Sequence, residues 1–204
     1  QLSGLVLALA AAGMFHSPQV LGADCVVPQN PYTFGGVCDS LGLAAGAVFT
    51  NEGTINQAAD TNQAAVSTAE AGGGVFLFKN ATEGTVSART LGIFSNGGIQ
   101  MITNEGLIEV SEDLGFAIYS INGDIGQLTN KKTIKGSIYS PANGGSIGLL
   151  NNQQGASIRS KTAPTNPTDP NSAPHVVLIV GDTEVNNAGV IAARLTDDVQ
   201  YTYR

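Results

Sequence analysis

The sequence predicts an all-β protein whose main part is a right-handed parallel β-helix of about six coils. Three observations lead to this prediction. A short motif recurs along most of the chain: an apolar residue, two variable positions, a second apolar residue, one variable position and an asparagine. The apolar runs are short and rich in Ile, Val, Phe and Thr, which favours strands. Glycine and asparagine punctuate the runs so often that helices of about ten residues do not fit between them.

Asparagines anchor the repeat. They are Asn51, Asn80, Asn104, Asn130, Asn152 and Asn187, at successive steps of 29, 24, 26, 22 and 35 residues. A period in this range with two or three short strands matches one coil of a parallel β-helix, in which each coil stacks its apolar residues on those of the next. Asparagine suits coil corners because it tolerates left-handed backbone angles, and stacked amides can hydrogen-bond along a column. We therefore interpret these asparagines as structural.

The chain divides into three predicted parts. Residues 1–23 contain the apolar run 5–12 and the small-residue end 20–23, which are typical of a secretory signal peptide cleaved after Ala23. A positively charged start is missing, and a buried or membrane-interface helix is the alternative. Residues 24–45 are predicted to form an N-terminal cap that carries the cysteines. Residues 46–204 are predicted to form the β-helix, with a Pro-rich loop inserted at 160–174.

The chain has two cysteines, Cys25 and Cys38. In an exported protein, an even pair that closes a short loop is most simply a disulfide, and here it would staple the mature N-terminus. A lipid-anchored Cys25 is an alternative, although Asp24 stands where a lipoprotein signal needs a small residue. A metal site is a weaker alternative because no histidine or third cysteine lies nearby.

Composition narrows the range of partners. Charged residues make up 12% of the chain, and 9 Lys and Arg face 16 Asp and Glu, for a net charge of -7. A protein that binds the phosphate backbone needs clustered positive charge, so we expect no nucleic-acid partner. The chain contains 26 glycines and no Trp.

The repeats at 102–110 and 185–191, read with their anchor asparagines, resemble those of autotransporter passenger domains and related secreted β-helical adhesins of Gram-negative bacteria. The resemblance covers roughly residues 45–195 and concerns core and corner positions. It implies a secreted, cell-surface or outer-membrane location and an adhesive or structural role. It also implies contacts with host or neighbouring-cell molecules, or with other copies of the chain. Membrane attachment would require a C-terminal barrel, which these 204 residues do not include.

Acidic clusters raise the alternative of a carbohydrate-active β-helix enzyme, since paired carboxylates can act as acid and base on a glycosidic bond. Such an enzyme would use Glu105, Glu109 or Asp124 with Lys131. Further acidic and basic candidates are Glu112, Asp113, Asp182, Glu184, Asp197, Asp198, Lys132 and Lys135. We expect instead that these charges are solvated and pair between coils, because no aromatic platform for sugar stacking accompanies them in the sequence.

The sequence gives little support for a calcium site, a catalytic histidine or a phosphate-binding loop. Asn-Gly-Asp-Ile at 122–125 occurs once, whereas calcium-binding β-rolls repeat their aspartates. His16 lies in the signal-like segment, and His175 stands at the start of an apolar run, where a strand-edge role is expected. The glycine runs lack the lysine of a phosphate loop. We therefore predict a non-catalytic protein with no cofactor and no metal. A self-assembling fibre or surface-layer subunit is the third possibility.

Overall fold

The computed structural model describes residues 30–58, 63–68, 74–112, 115–141, 144–160, 176–179, 181–194 and 200–202. These residues form 21 strands in three sheets, and the described residues include no helix. Accordingly, no helix in this part of the chain is long and apolar enough to cross a membrane.

Successive strands visit the three sheets in turn. Sheet 1 contains β1 (Tyr32–Phe34), β4 (Val48–Asn51), β7 (Val75–Asn80), β10 (Ile99–Asn104), β13 (Ile125–Asn130), β16 (Ile147–Asn152) and β19 (Glu184–Asn187). Sheet 2 contains β2 (Val37–Cys38), β5 (Thr54–Gln57), β8 (Thr85–Ala88), β11 (Leu107–Val110), β14 (Thr133–Lys135), β17 (Ser157–Ser160), β20 (Val190–Arg194) and β21 (Gln200–Thr202). Sheet 3 contains β3 (Leu41–Leu43), β6 (Ala64–Thr68), β9 (Leu91–Ser95), β12 (Phe116–Ser120), β15 (Ser137–Ser140) and β18 (Val177–Ile179).

This order makes the fold a parallel β-solenoid, as the repeat predicts. Each strand pairs in parallel with the strand one coil before and one coil after it, and only β21 runs antiparallel, against β20. Six coils contribute a strand to every sheet, and a seventh contributes β19 and β20. The count agrees with the predicted six coils.

The core is a set of in-register columns. In sheet 2, one buried column runs through Cys38, Ile55, Val86, Ile108, Ile134 and Ile158. Sheet 1 supplies a second column through Phe49, Phe78, Ile102, Leu128 and Leu150. A side chain buried in one coil therefore meets a similar side chain above and below it, and no single coil could shield its own apolar face.

The recurring motif has a local cause in sheet 1. In β10, Ile99, Ile102 and Asn104 are buried, while Gln100 is exposed and Met101 is half-exposed. Two consecutive residues near the start of the strand thus face outward, after which inward and outward positions alternate. This explains why the apolar residues recur three apart and the asparagine two further on.

The solenoid begins earlier than the sequence indicates. The described part of the predicted cap at 24–45 contains β1, β2 and β3, which pair in register with β4, β5 and β6. The pattern missed this first coil because Phe34 occupies the place of the anchor asparagine, opposite Asn51. The predicted signal segment 1–23 and residues 161–174 of the predicted Pro-rich loop lie outside the described residues.

Candidate functional site

The anchor asparagines form a continuous hydrogen-bonded ladder at the ends of the sheet 1 strands. The Nδ2 of each donates to the Oδ1 of the next, at 2.9 Å from Asn51 to Asn80, 2.9 Å from Asn80 to Asn104 and 2.9 Å from Asn104 to Asn130. The last two steps, through Asn152 to Asn187, are 2.8 Å each. The asparagines from 51 to 152 are fully buried. Each lies at the end of its strand, immediately before the chain turns into sheet 2.

Each rung also ties sheet 1 to sheet 2. Asn104 Nδ2 donates to the carbonyl oxygen of Thr133 at 3.0 Å, and Asn130 Nδ2 donates in the same way to Ser157 at 3.1 Å. Both amide hydrogens are therefore used, one along the column and one across the corner. The ladder gives these residues a structural role, and burial leaves the side chains from Asn51 to Asn152 no access to a ligand, whereas Asn187 in the last coil is exposed.

A second polar column closes sheet 3, and the sequence interpretation missed it. It contains Thr68, Ser95, Ser120 and Ser140, all buried. Ser95 Oγ and Ser120 Oγ both donate to the carbonyl oxygen of Gly123, at 3.0 and 2.7 Å, and Ser140 Oγ donates to that of Gly145. These hydroxyls satisfy backbone groups at the corner between sheets 3 and 1. They too are structural.

The acidic candidate Glu105 belongs to an ion-pair network that spans three coils. Its carboxylate lies 2.8 Å from Lys79 Nζ and 2.9 Å from Lys131 Nζ. Hydrogen bonds from Lys79 and then Lys131 lower the pKa of Glu105 below its ordinary value of 4.5. An acid with a lowered pKa is ionised at neutral pH, so this carboxyl is poorly suited to donate a proton as a general acid.

The other carboxylates of the enzyme alternative have partners of their own. Glu109 lies on sheet 2, 3.3 Å from Lys135 Nζ, and Glu112 pairs with Arg89 at 2.6 Å. Asp124 stands at the opposite end of sheet 1 from Glu105 and accepts from the backbone N–H of Ser146 at 2.7 Å. These carboxylates occupy different positions around the coil, and the expected pairing between coils is present.

The outward face of sheet 3 carries an aromatic stripe, which we define as Phe94, Phe116, Tyr119 and Tyr139. Phe94, Tyr119 and Tyr139 occupy one row in successive coils, and Phe116 lies in the adjacent row. Ring centroids are 5.6 Å apart for Phe94 and Tyr119 and 5.3 Å apart for Tyr119 and Tyr139. Phe116 stacks on Tyr139 at 5.0 Å with the ring planes 22° apart. All four residues are half-buried.

Charged side chains lie beside the stripe but not on its strands, since Arg89 and Glu112 pair shortly before β9 and β12. The described strands of sheet 3 contain no Asp, Glu, Lys or Arg. Row neighbours of the stripe are Ser67 on one side and Leu178 on the other. Burial and then the neighbouring Tyr139 raise the pKa of Tyr119 above 10.0, so its hydroxyl stays a neutral donor at physiological pH.

The sequence predicts no aromatic platform beside the acidic clusters. The stripe lies on sheet 3, whereas Glu109 and Lys135 lie on sheet 2. A signal was available in the sequence: Ile93-Phe94-Ser95, Ile118-Tyr119-Ser120 and Ile138-Tyr139-Ser140 repeat one pattern of apolar, aromatic and serine.

Several predicted features remain open. Cys38 is buried on β2, whereas Cys25 lies outside the described residues, so their pairing stays a prediction. His16, His175, Asp113, Asp197 and Asp198 also lie outside them. Asp182 and Glu184 are exposed in the last coil. Among the residues that the structure describes, no three His, Cys, Asp or Glu side chains are grouped to hold a metal ion.

No protein-family model, curated protein or solved structure matches this chain. The resemblance to autotransporter passenger domains thus stays a prediction from the repeats.

Proposed function

We propose that this chain is a non-catalytic, exported β-helical rod of a Gram-negative bacterium, and that it makes adhesive contacts at the cell surface through the aromatic stripe. The stripe is the observation that carries the proposal. The four half-buried rings are contiguous, and contiguous apolar patches on a protein surface often mark interaction sites.

The rigidity of the stripe supports a contact role. Each ring is held in register by a strand that pairs with a neighbour on both sides, so little side-chain freedom is lost when a partner binds. A non-catalytic role is supported by the carboxylates of the enzyme alternative. Glu105, Glu109 and Asp124 each bind a different partner within the protein, so they do not converge on one site.

Export is supported by the signal-like segment 1–23 and by the two cysteines. Under this proposal Cys25 and Cys38 form a disulfide that fastens the N-terminal segment to the first coil. Under this proposal the coils are also right-handed, as crossover connections between parallel strands nearly always are.

Adhesion can be tested with the fluorescently labelled chain, by measuring its binding to bacterial cells and cultured epithelial cells in flow cytometry. We expect saturable binding that falls at least about tenfold in the double variant Tyr119→Leu/Tyr139→Leu. Phe76→Leu is the matched control, because Phe76 is an aromatic residue on sheet 1 that is 47% exposed. No saturable binding, or equal loss in both variants, would overturn the proposal.

Self-assembly is a second candidate function, and the last coil favours it. Val185 continues the inward column of sheet 1, in register with Leu150, yet is 49% exposed. Among the described strands, none pairs with the far edge of β19, whereas β21 covers the far edge of β20. A second copy that pairs with β19 would bury Val185.

Light scattering over a concentration series tests whether the chain assembles end to end. End-to-end assembly predicts a mass that grows with concentration and returns to that of a monomer in Val185→Lys. Phe76→Lys, on the side of the rod, should leave the assembly unchanged. A constant monomer mass in the unsubstituted chain would exclude this candidate.

A further inference from the structure

Three Asn-Gly pairs lie between a sheet 3 strand and the next sheet 1 strand in successive coils. They are Asn96-Gly97, Asn122-Gly123 and Asn143-Gly144. Asparagine is a thermolabile residue, and a following glycine favours its deamidation because no Cβ hinders attack of the glycine nitrogen on the side-chain amide. The local sequence therefore predicts three similarly reactive sites. The contacts of the three glycine nitrogens differ, however.

Two of the three glycine nitrogens are held by hydrogen bonds. Gly97 N–H donates to the buried Thr68 Oγ1 at 2.8 Å, and Gly144 N–H donates to the carbonyl oxygen of Pro141 at 3.0 Å. Asn143 itself lies outside the described residues. Attack on an asparagine requires the glycine nitrogen to lose the proton that it donates in these bonds, so each bond must first break.

The nitrogen of Gly123 is not held in this way. Among the residues that the structure describes, none accepts a hydrogen bond from Gly123 N–H. Thr68 and Ser95 end neighbouring strands of sheet 3, but Ser95 Oγ donates to the carbonyl oxygen of Gly123 at 3.0 Å, whereas Thr68 Oγ1 accepts from Gly97 N–H. Asn122 is also exposed to solvent.

We infer that Asn122 is a site of spontaneous deamidation in the folded protein, and that Asn96 and Asn143 are protected. The nitrogen of Gly123 attacks Cγ of Asn122. A C–N bond forms and closes a succinimide ring, the bond from Cγ to Nδ2 breaks, and Nδ2 leaves as ammonia with the proton from Gly123. Water then opens the ring at either carbonyl, which gives aspartate or isoaspartate.

The reaction changes the corner between sheets 3 and 1. Asn122 Nδ2 donates to Asn96 Oδ1 at 2.6 Å, and loss of the amide removes this bond between coils. Isoaspartate also lengthens the backbone by a carbon atom beside Gly123, which packs so closely on Gly98 that a Cβ would collide with it. We therefore expect the deamidated protein to unfold at a lower temperature than the fresh protein.

Peptide mapping of the folded chain after storage in neutral buffer tests the site. Chymotryptic peptides separate the three asparagines, because Tyr119 and Tyr139 lie between them, and mass spectrometry measures the conversion of each. We expect Asn122 to convert at least about fivefold faster than Asn96 or Asn143, the factor that corresponds to one hydrogen bond of about 1 kcal/mol. In the matched control, the chain unfolded in urea, the three asparagines should convert at similar rates.

Thr68→Val tests the cause of the protection. The substitution removes the acceptor of Gly97 N–H, so the conversion of Asn96 should rise towards that of Asn122, which should itself be unchanged. Circular dichroism first checks the fold of the variant. If Thr68→Val does not fold, hydrogen exchange on the unsubstituted chain takes its place, and the amide of Gly123 should exchange faster than that of Gly97.

The results separate a site selected by the fold from general chemical ageing. Fast conversion of Asn122 in the folded chain alone, with isoaspartate labelling by a methyltransferase that is lost in Asn122→Gln, supports the inference. Equal rates at Asn96 and Asn122 in the folded chain overturn it, and so does an Asn122 that converts only after unfolding.

Discussion

Asn80 Nδ2 donates to Asn104 Oδ1 over 2.9 Å, joining two side chains that are 24 residues apart in the chain and one coil apart in the solenoid. The same Nδ2 also donates to the carbonyl oxygen of Leu107 at 3.0 Å. Because both side chains are fully buried, water cannot replace either bond. The ladder therefore aligns neighbouring coils at the corner between sheets 1 and 2, next to the backbone bond that Glu105 N–H donates to the carbonyl oxygen of Asn80 at 2.7 Å.

Replacing Asn104 by alanine should destabilise the protein by about 3 kcal/mol or more. The substitution leaves acceptors on Asn130 and Thr133 without this donor, and each unsatisfied group costs about 1–3 kcal/mol, whereas Asn80 Nδ2 keeps the carbonyl oxygens of Gly84 and Leu107. Urea unfolding followed by circular dichroism measures the change. Asn151→Ala is the control, since Asn151 faces outward, and its effect should stay within about 0.5 kcal/mol. Equal effects would contradict a stabilising ladder.

Gly106 illustrates the close approach of coils beside the ladder. A Cβ at this position would collide with the carbonyl oxygens of Gly84 and Ala81 and lie 2.9 Å from Asn80 Nδ2. We expect Gly106→Ala to lower the unfolding free energy by about 1–3 kcal/mol, the range for overpacking. Thermal unfolding checks this, with Gly42→Ala as control, because a Cβ at Gly42 has nothing within 4 Å. A Gly106→Ala melting temperature at or above that of the control would refute the steric argument.

The core and the ladder could be predicted from sequence because they recur in a fixed relation to each other. Ile102 and Asn104 face the interior, and in the neighbouring coils the residues in register with them do the same. In-register stacking therefore requires similar residues at a regular spacing, which the sequence shows. The first coil escaped prediction because Phe34 replaces the asparagine there and starts a run of aromatic packing, 6.5 Å from Phe49.

The aromatic stripe was harder to predict, for a physical reason. The outward residues of sheet 3 do not pack in the core, so their residue type is not fixed. The row that contains the stripe accordingly changes from Ser67 through Phe94 and Tyr119 to Leu178. Phe116 and Tyr139 also lie in different rows and meet only because adjacent coils stack. The spacing of residues in the sequence shows which residue types recur. Which rows come into contact depends on how each coil folds and stacks on the next.

The first coil also yields a prediction about the cysteines. If Cys25 and Cys38 form a disulfide, it closes a loop of 14 residues, for which chain-entropy estimates give about 3 kcal/mol of stabilisation. Peptide mapping by mass spectrometry without reductant should recover the two cysteines as one linked pair. Dithiothreitol should lower the melting temperature of the protein, and it should have no further effect on Cys38→Ser. Recovery of both cysteines as alkylated free thiols would contradict the pairing.

The Glu105 network predicts a pH-dependent contribution to stability. Because its two lysine partners lower the pKa of Glu105 in the folded state, the contribution is present above the unfolded value near 4.5 and is lost as the pH falls through the folded pKa. The side chains of Lys79 and Lys131 are 36% and 42% exposed, so the network should contribute only about 0.5–1 kcal/mol. Glu105→Gln retains the shape of the side chain and removes its charge.

The difference in unfolding free energy between the unsubstituted chain and Glu105→Gln should therefore be constant from about pH 8 to about pH 5 and approach zero near pH 3. Urea unfolding at each pH measures it. The difference at neutral pH should also shrink in about 1 M NaCl, since salt screens exposed ion pairs. A difference that persists unchanged at about pH 3 would mean that packing of the side chain, and not its charge, links these three coils.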